Sequence, residues 1–488
     1  MRFERHRTAL DRTEISRPMR LAVQDGVVSA GDRILDYGCG KGGDVRQLRA
    51  LGFDCEGWDP VHRPEGRREQ SDIVNLGYVV NVVEDLDERA QVLRTAWALA
   101  GRVLVVAGRL SAEARAVPVT EFADGYVTRC GTFQKLFGQQ ELKDWIEACL
   151  GTRAATAGPG VFYVFRDESH RQAFLFSRYR RRPPAPRVDR SESLYSANKE
   201  ILDVLVGFLT ARGRVPDDME LPEITPALRD TFGSVKRAVA VVTRTLGDVQ
   251  WRDVQRERTQ DVLVYLALTR FDGRPKFNEL PRDLQLDVRA FFTSYQAAGA
   301  LADALLFSVG NVKALDSIFR AAPIGKLMPA ALYVHTSALD ELPTELRIYE
   351  GCARGYIGSI EGANIIKLHR DEPRVSYLAY PAFDRDPHPA LVRSIVVPLQ
   401  TFRIDIRDFA NSANPPVLHR KEEFVPTYYP DREKFRRLTE QEERFGLYSE
   451  PAKIGTRAGW EQVLRRSGVS LRGHRVVRAP RGNGHGSS

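Results

Sequence analysis

An α/β fold is predicted for this chain: a parallel sheet covered by helices in its first third, then a helical region, then a mixed α+β region. Three observations carry that prediction. Between residues 1 and about 168, apolar strand-like runs alternate with helical patterns, as a parallel sheet with helical crossovers requires. A glycine-rich loop, ILDYGCGKGGDV (34–45), joins the first strong apolar run to a helical pattern. Beyond residue 194 the texture changes twice, first to helical spacing and then back to strand-like runs.

The elements follow in order. The strand-like runs of the first region are RILDYGC, DCEGWD, SDIVNLGYVV, RVLVVAG and GVFYVF. The stretch RYRRRPPAPRVDR (178–190) has prolines and arginines without periodicity and reads as part of an exposed linker. ANKEILDVLVGFLTARG and RERTQDVLVYLALTRF carry apolar residues at i, i+3, i+4 and i+7, so residues 194–322 are expected to be helical. AALYVHTS, ANIIKLH, RVSYLAY and SIVVPLQTFRIDI restore strand signals, and the end of the chain is rich in Gly and Ser. The expected divisions are therefore 1–168, a basic Pro/Arg linker at 169–193, 194–322, 323–450, and a tail at 451–488 with a disordered end.

Composition excludes some classes. No apolar run approaches the roughly 20 residues that span a bilayer. The opening stretch MRFERHRTALDRTEIS is charged and shows no apolar signal segment, so a cytoplasmic chain without a membrane partner is expected. Five cysteines are scattered without a C-x-x-C pair, which argues against a disulfide framework or a zinc site, and no metal is expected. A net charge of +8 favours a polyanionic partner.

The glycine loop narrows the chemistry. Gly38, Gly40 and Gly43 match the G-x-G-x-x-G dinucleotide pattern. No G-K-[ST] follows, so it is not a P-loop. A second pattern uses more of the residues: Asp36, then Gly38, Gly40 and Gly42 at alternate positions, with Cys39 between the first two glycines. This resembles motif I of class I S-adenosylmethionine-dependent methyltransferases. A dinucleotide brings an anionic pyrophosphate to the helix N-terminus, whereas S-adenosylmethionine brings a sulfonium and an ammonium, which an early carboxylate such as Asp36 suits. Asp59, about 20 residues on, sits where an acidic residue accepts ribose hydroxyls. Trp58 borders the adenine in this reading, with simple packing as the alternative.

The third run places the acceptor chemistry. Asp72 opens it, and Asn75-Leu76-Gly77-Tyr78 ends it, at the strand C-terminus where doubly wound sheets bind ligands. DNA and RNA amino-methyltransferases carry an Asn or Asp, two prolines and an aromatic residue there. The side-chain oxygen accepts the amine hydrogens and the ring stacks on the extruded base. Asn75 and Tyr78 occupy the outer positions; Leu76 and Gly77 replace the prolines.

With these stretches, the chain as far as residue 448 resembles the DNA phosphorothioation-associated putative methyltransferases. The carriers are RHRTALDRTEISRPMRLA, DYGCGKGGDVRQL, GWDP, VNLGYVVNVVED, GTFQKLFGQQEL, GKLMPAALYVHTSAL, IYEGCAR, SYLAYPAFDRDPHPAL, NPPVLHRKEEFV and KFRRLTEQEERFGLY. The resemblance implies a bacterial protein of a DNA-modification or antiphage defence setting, with components of such a system as partners. Only PVHRPEGRREQS separates Asp59 from Asp72, so the Rossmann-like cofactor domain is abridged, and residues 1–25, ISRPM (15–19) among them, are placed to complete its pocket. Thr132 to Lys135 form a candidate substrate lip.

In the second half, Asp384, Asp386 and His388 form either an acid–base or cation-binding cluster or a turn. NPPVLH holds Asn414-Pro415-Pro416 but reads as a loop. Arg274 and Lys276, Lys367 and Arg370, and His419, Arg420 and Lys421 are candidate phosphate contacts. The function these readings favour is S-adenosylmethionine-dependent methylation of a DNA base amino group. The alternatives are a catalytically weak or inactive DNA-binding regulatory factor, and a methyltransferase of RNA or protein.

Overall fold

The computed structural model describes residues 3–9, 12–113, 120–181, 193–246, 248–311 and 313–478. The chain forms two compact units, one from residues 1–166, 312–343 and 352–488, the other from 167–311 and 344–351.

The first unit opens with helix α1 (Arg17–Gln24) and strand β1 (Arg33–Tyr37). The glycine loop leads into α2 (Gly43–Ala50), and β2 (Asp54–Trp58) follows. Then come β3 (Ser71–Gly77), α3 (Leu86–Leu99) and β4 (Ala100–Ala107). A small antiparallel sheet of β5 (Thr120–Phe122), β6 (Gly125–Val127) and β7 (Phe133–Gln134) precedes α4 (Gln139–Leu150). The hairpin β8 (Ala154–Gly158) and β9 (Val161–Phe165) completes the main sheet. Its order is β2-β1-β3-β4-β9-β8. The first four strands are parallel and the last two antiparallel.

This mixed α/β layer has a parallel-rich sheet because its strands are apolar on both faces. Ile73, Val74 and Leu76 of β3, and Val103 to Val106 of β4, are fully buried. Asp85 starts α3 by accepting Glu88 N–H at 2.8 Å, and the helix buries Ala90, Leu93 and Ala96 on the sheet. Each large side chain buried in that core contributes roughly 1.5–3 kcal/mol. Between β2 and β3 the chain makes only a tight turn in which Asp59 pairs with Arg63, so no further strand or helix intervenes there.

The same unit contains a second sheet. Its strands β10 (Lys326–Met328), β11 (Ala331–His335), β12 (Ala363–His369), β13 (Arg374–Ala379), β14 (Arg393–Pro398) and β15 (Asp405–Asp408) lie in sequence order, all antiparallel. The second unit is helical: α5 (Glu168–Ser177), α6 (Ser193–Ala197), α7 (Lys199–Arg212), α8 (Thr225–Phe232), α9 (Val235–Leu246), α10 (Asp248–Leu268), α11 (Arg282–Phe291) and α12 (Tyr295–Ser308). Leu202, Leu205, Leu209, Leu228, Ala238 and Val242 form its core.

Two expected divisions are corrected. The linker assigned to 169–193 begins as α5, which buries Phe174 and Phe176. Asp167 caps it by accepting Ser169 N–H at 2.7 Å, a cap hidden by the arginines and prolines downstream. Residues 182–192 of that linker lie outside the described residues. After α13 (Asp316–Arg320), α14 (Thr344–Ile357) and α15 (Arg432–Arg444), the tail assigned to 451–488 holds α16 (Arg457–Arg466), β16 (Val469–Leu471) and β17 (Val476–Arg478). Trp460, Val463 and Val469 join Val417 and Leu447 in a core cluster, so this segment is part of the unit. The expected disordered end, 479–488, lies outside the described residues.

Candidate functional site

In an open α/β sheet the ligand crevice lies at the strand C-termini where the strand order reverses. Here that point is between β1 and β3, because β2 lies on one side of β1 and β3 on the other. Asp36 and Asn75 are register partners across those two strands. Both side chains are buried, and Asn75 Nδ2 donates to Asp36 Oδ1 at 2.8 Å. Asn75 Oδ1 is buried with no hydrogen-bond partner. Such an acceptor is costly unless something donates to it.

Burial pushes the Asp36 carboxyl up to about 7, helped by the nearby Asp44 charge and opposed by the Asn75 hydrogen bond. Asp44 is itself buried on α2 and accepts Ser16 N–H at 2.7 Å. Two buried carboxylates beside one crevice favour a cation over an anion.

The loop above them is shaped by glycine. Gly38, Gly40 and Gly42 all have positive φ. A Cβ at Gly38 (φ +85°) would lie 2.4 Å from Val79 Cγ2. Gly38→Ala is therefore expected to cost about 1–3 kcal/mol in urea or thermal unfolding, from left-handed strain and the clash together. Gly38 and Cys39 N–H both donate to Trp58 O, at 2.8 and 3.1 Å, which ties the loop to β2. Gly42 is the N-cap of α2.

The predicted loop and ribose contacts are modified by the chain itself. Asp59 Oδ2 accepts Gly40 N–H at 3.1 Å, and Oδ1 accepts Val61 and His62 N–H at 3.0 and 2.8 Å. Arg63 lies beside Gly42, 2.7 Å from where a Cβ would sit, and Ala9 Cβ is 3.0 Å from that point at Gly40. Arg68 stacks over the Trp58 ring at 4.5 Å, and Tyr37 packs at 4.8 Å from it. Cys39 contributes its backbone, while burial pushes its thiol up to about 12.

On the acceptor side, Tyr78 has φ +63°, a conformation that non-glycine residues adopt rarely and that clusters at functional sites. Its N–H donates to Ala107 O at 2.9 Å, and Arg12 covers one face of the ring at 5.4 Å. Gly77 leaves room over Asn75: a Cβ there would lie 3.2 Å from the amide nitrogen and 3.3 Å from its oxygen. Arg17 pairs with Glu113 at 3.1 Å. Gln134 lies in β7, and Lys135 N–H donates to Asn81 O at 2.7 Å.

Sequence reasoning missed Asn81, which is fully buried. It donates to Lys135 O at 2.6 Å and accepts Arg109 N–H at 3.0 Å, so it holds the segments after β3 and β4 and the lip together. Its signal was an amide just beyond an apolar strand, which composition does not distinguish from a surface residue.

The candidate phosphate contacts have the following surroundings. Arg274, in the second unit, is clamped by Asp303 at 2.7 Å and by Leu266 O at 3.2 Å, while Lys276 is exposed. In the first unit Lys367 lies over the Tyr333 ring at 5.3 Å, and Arg370 is neutralised by Asp316 and bound to Met328 O at 3.1 Å. His419 is buried and meets Ile454 O at 2.7 Å. Arg420 pairs with Glu443 at 2.6 Å. Lys421 is buried and donates to Phe383 O and Asp386 O, both at 2.6 Å. Most of these charges are engaged with carboxylates and backbone inside their own unit.

The Asp384–Asp386–His388 cluster diverges. Asp384 accepts the Tyr429 hydroxyl at 2.6 Å, and Asp386 accepts His388 N–H at 3.0 Å in a turn. His388 points inward to Glu442 at 2.6 Å. Among the described residues no group of three or more His, Cys, Asp or Glu is placed to hold a metal.

No protein-family model matches the chain, and no curated protein matches it. Among solved structures it is similar to the Burkholderia thailandensis 1,6-didemethyltoxoflavin-N1-methyltransferase bound to 1,6-didemethyltoxoflavin and S-adenosylhomocysteine. The TM-score is 0.22 and the identity 16%, over 33% of this chain and 75% of that one. No helix among the described residues is long and apolar enough to cross a membrane.

Proposed function

We propose that this chain is an S-adenosylmethionine-dependent methyltransferase acting on a base amino group of DNA, in a bacterial modification or defence setting linked to phosphorothioation. One observation carries the reading: Asp36 and Asn75, hydrogen-bonded at 2.8 Å, lie buried at the switch point with the Asn75 oxygen unmatched. A buried carboxylate fits the ammonium of S-adenosylmethionine, and the alternate glycines allow its close approach to backbone. The DNA target and the setting rest on the sequence resemblance and on Asn75 and Tyr78 at the end of β3.

When bound, S-adenosylmethionine supplies a methyl group activated by its sulfonium. Asp36 holds the ammonium end. Asp59 retains a lone pair on Oδ2 for a ribose hydroxyl, since among the described residues that oxygen accepts one hydrogen bond, from Gly40 N–H. Asn75 Oδ1 accepts an amine hydrogen of the base, which localises the nitrogen lone pair, and Tyr78 offers its ring for stacking. The contribution of these residues is positioning.

A second reading has a specific observation behind it. Ala9 and Arg63 already crowd the glycine loop, and Leu76-Gly77 stands where two prolines are usual, which favours a DNA-binding factor without turnover. Calorimetry with S-adenosylhomocysteine, with NAD as control, tests the cofactor half: S-adenosylhomocysteine binds and NAD does not. Binding of NAD alone refutes the proposal. Mass spectrometry of DNA nucleosides from cells with and without the protein then separates turnover from mere binding.

A further inference from the structure

The rim of the crevice around Tyr78 carries more positive charge than its neighbours neutralise. Tyr78 N–H donates to Ala107 O at 2.9 Å, which brings the segment carrying Arg109 alongside it, and Arg12, Arg17 and Arg109 all act electrostatically on the Tyr78 hydroxyl, with Glu113 the opposing carboxylate. Glu113 is committed to Arg17 at 3.1 Å. Arg12 meets the Tyr78 ring at 5.4 Å and acts electrostatically on buried Asp36, with no ion pair within 4 Å among the described residues. Arg109 is exposed; its guanidinium meets the Gln134 amide oxygen at 3.5 Å, and its backbone is fixed by buried Asn81 at 3.0 Å.

Two guanidiniums without an ion pair among the described residues, on the side of a ring held in a rare backbone conformation, match a particular ligand shape, a flat group attached to an anion. Arginine is the side chain best suited to a phosphate, through its planar fork of donors. A tyrosine face is suited to a base. The anchoring of Arg109 through Asn81 marks it as set in place: the same amide holds the lip residue Lys135 at 2.6 Å. Arg274, Arg370, Arg420 and Lys421 are engaged with carboxylates or carbonyls, whereas at this rim Arg12 and Arg109 lie on the side of a stacking ring.

We propose that the rim is a nucleotide-phosphate site, in which the substrate base lies on Tyr78 and its phosphate is received by Arg12 and Arg109. This rests on the methyltransferase reading for its acceptor base, and it names Arg109 as a specificity-determining residue. The phosphate can belong to a free nucleoside monophosphate or to a nucleotide in a strand; the recognition chemistry is the same.

The test uses the full chain saturated with S-adenosylhomocysteine. Calorimetry compares deoxyadenosine and deoxycytidine with their 5′-monophosphates and with a 12-nucleotide single strand. The monophosphates are expected to bind at least about tenfold more tightly than the nucleosides, the worth of a charge-assisted hydrogen bond. Arg109→Gln is expected to erase that preference and Arg109→Lys to retain part of it, with S-adenosylhomocysteine affinity unchanged within about twofold. Tighter binding of the strand, lost in Arg109→Gln, assigns the phosphate to a polynucleotide; exclusion of the strand assigns it to a free nucleotide. Equal binding of nucleoside and monophosphate, a preference untouched by Arg109→Gln, or no binding of either overturns the proposal. If S-adenosylhomocysteine fails to bind while the phosphate preference persists, the methyltransferase reading falls and the phosphate site stands.

Discussion

Asp36→Asn is expected to make the protein more stable and its cofactor affinity much weaker. The carboxyl is buried and its ionised form is disfavoured by loss of water and by Asp44, which lifts it from 3.8 to about 7. A folded-state value above the unfolded one means that the stability contribution is full below about 3.8 and is lost as pH rises through about 7. The amide keeps the shape and can accept the Asn75 hydrogen bond without carrying that penalty. At pH 8 the variant should therefore gain roughly 1–3 kcal/mol in urea unfolding, the scale of relieving a poorly solvated charge, and the gain should shrink toward pH 4. Affinity runs the other way. An ammonium prefers the ionised carboxyl, so wild-type affinity for S-adenosylhomocysteine should fall by about tenfold per pH unit below 7. The variant should show weak affinity with no such slope. Calorimetry at pH 5.5, 7 and 8.5 reads both; a variant that binds as wild type places the ammonium elsewhere.

Asn75→Ala is expected to reduce methyl transfer by about 10² or more, as losing a hydrogen bond that strengthens in the transition state does. The geometry adds a second effect. Asn75 Nδ2 also donates to Asp36 at 2.8 Å, so the alanine removes a donor from the carboxylate and pushes its ionisation higher still. Cofactor affinity should fall near neutral pH and recover to within a few-fold at pH 8.5, while turnover should not recover. A rate restored together with affinity would reduce Asn75 to a positioning residue for Asp36. Tyr78→Ala belongs beside it, with an expected loss of about 1–3 kcal/mol in binding a base, the usual worth of a stacking ring.

Much of the N-terminal fold is legible in the sequence. The apolar runs RILDYGC, SDIVNLGYVV and RVLVVAG overlap β1, β3 and β4, because strands buried on both faces must be apolar throughout. The short span between Asp59 and Asp72 correctly foretold the missing strand and helix, since twelve residues leave no room for both. The surroundings of the basic clusters were not legible, because a run of Arg and Lys reads the same whether it faces solvent or its own carboxylates. Lys421 is the clearest case: only the fold shows two carbonyls closing around its ammonium. The helix at 168–177 was hidden by the arginines and prolines that follow it.

By itself the sequence determined the order of strands and helices around the glycine loop, the alternate glycines, and which carboxylates lie near the strand ends. These are local facts, set by periodicity and by backbone conformations that only glycine adopts easily. Tertiary structure decided that Asp36 and Asn75 meet side chain to side chain although 39 residues separate them. It also decided that Asp59 turns back onto Gly40, and that Arg12 and Arg109 are left over while Arg274, Arg370 and Lys421 are consumed. The physical reason is that pairing and desolvation depend on neighbours brought together by folding, and a charge acquires its role only from what is buried beside it.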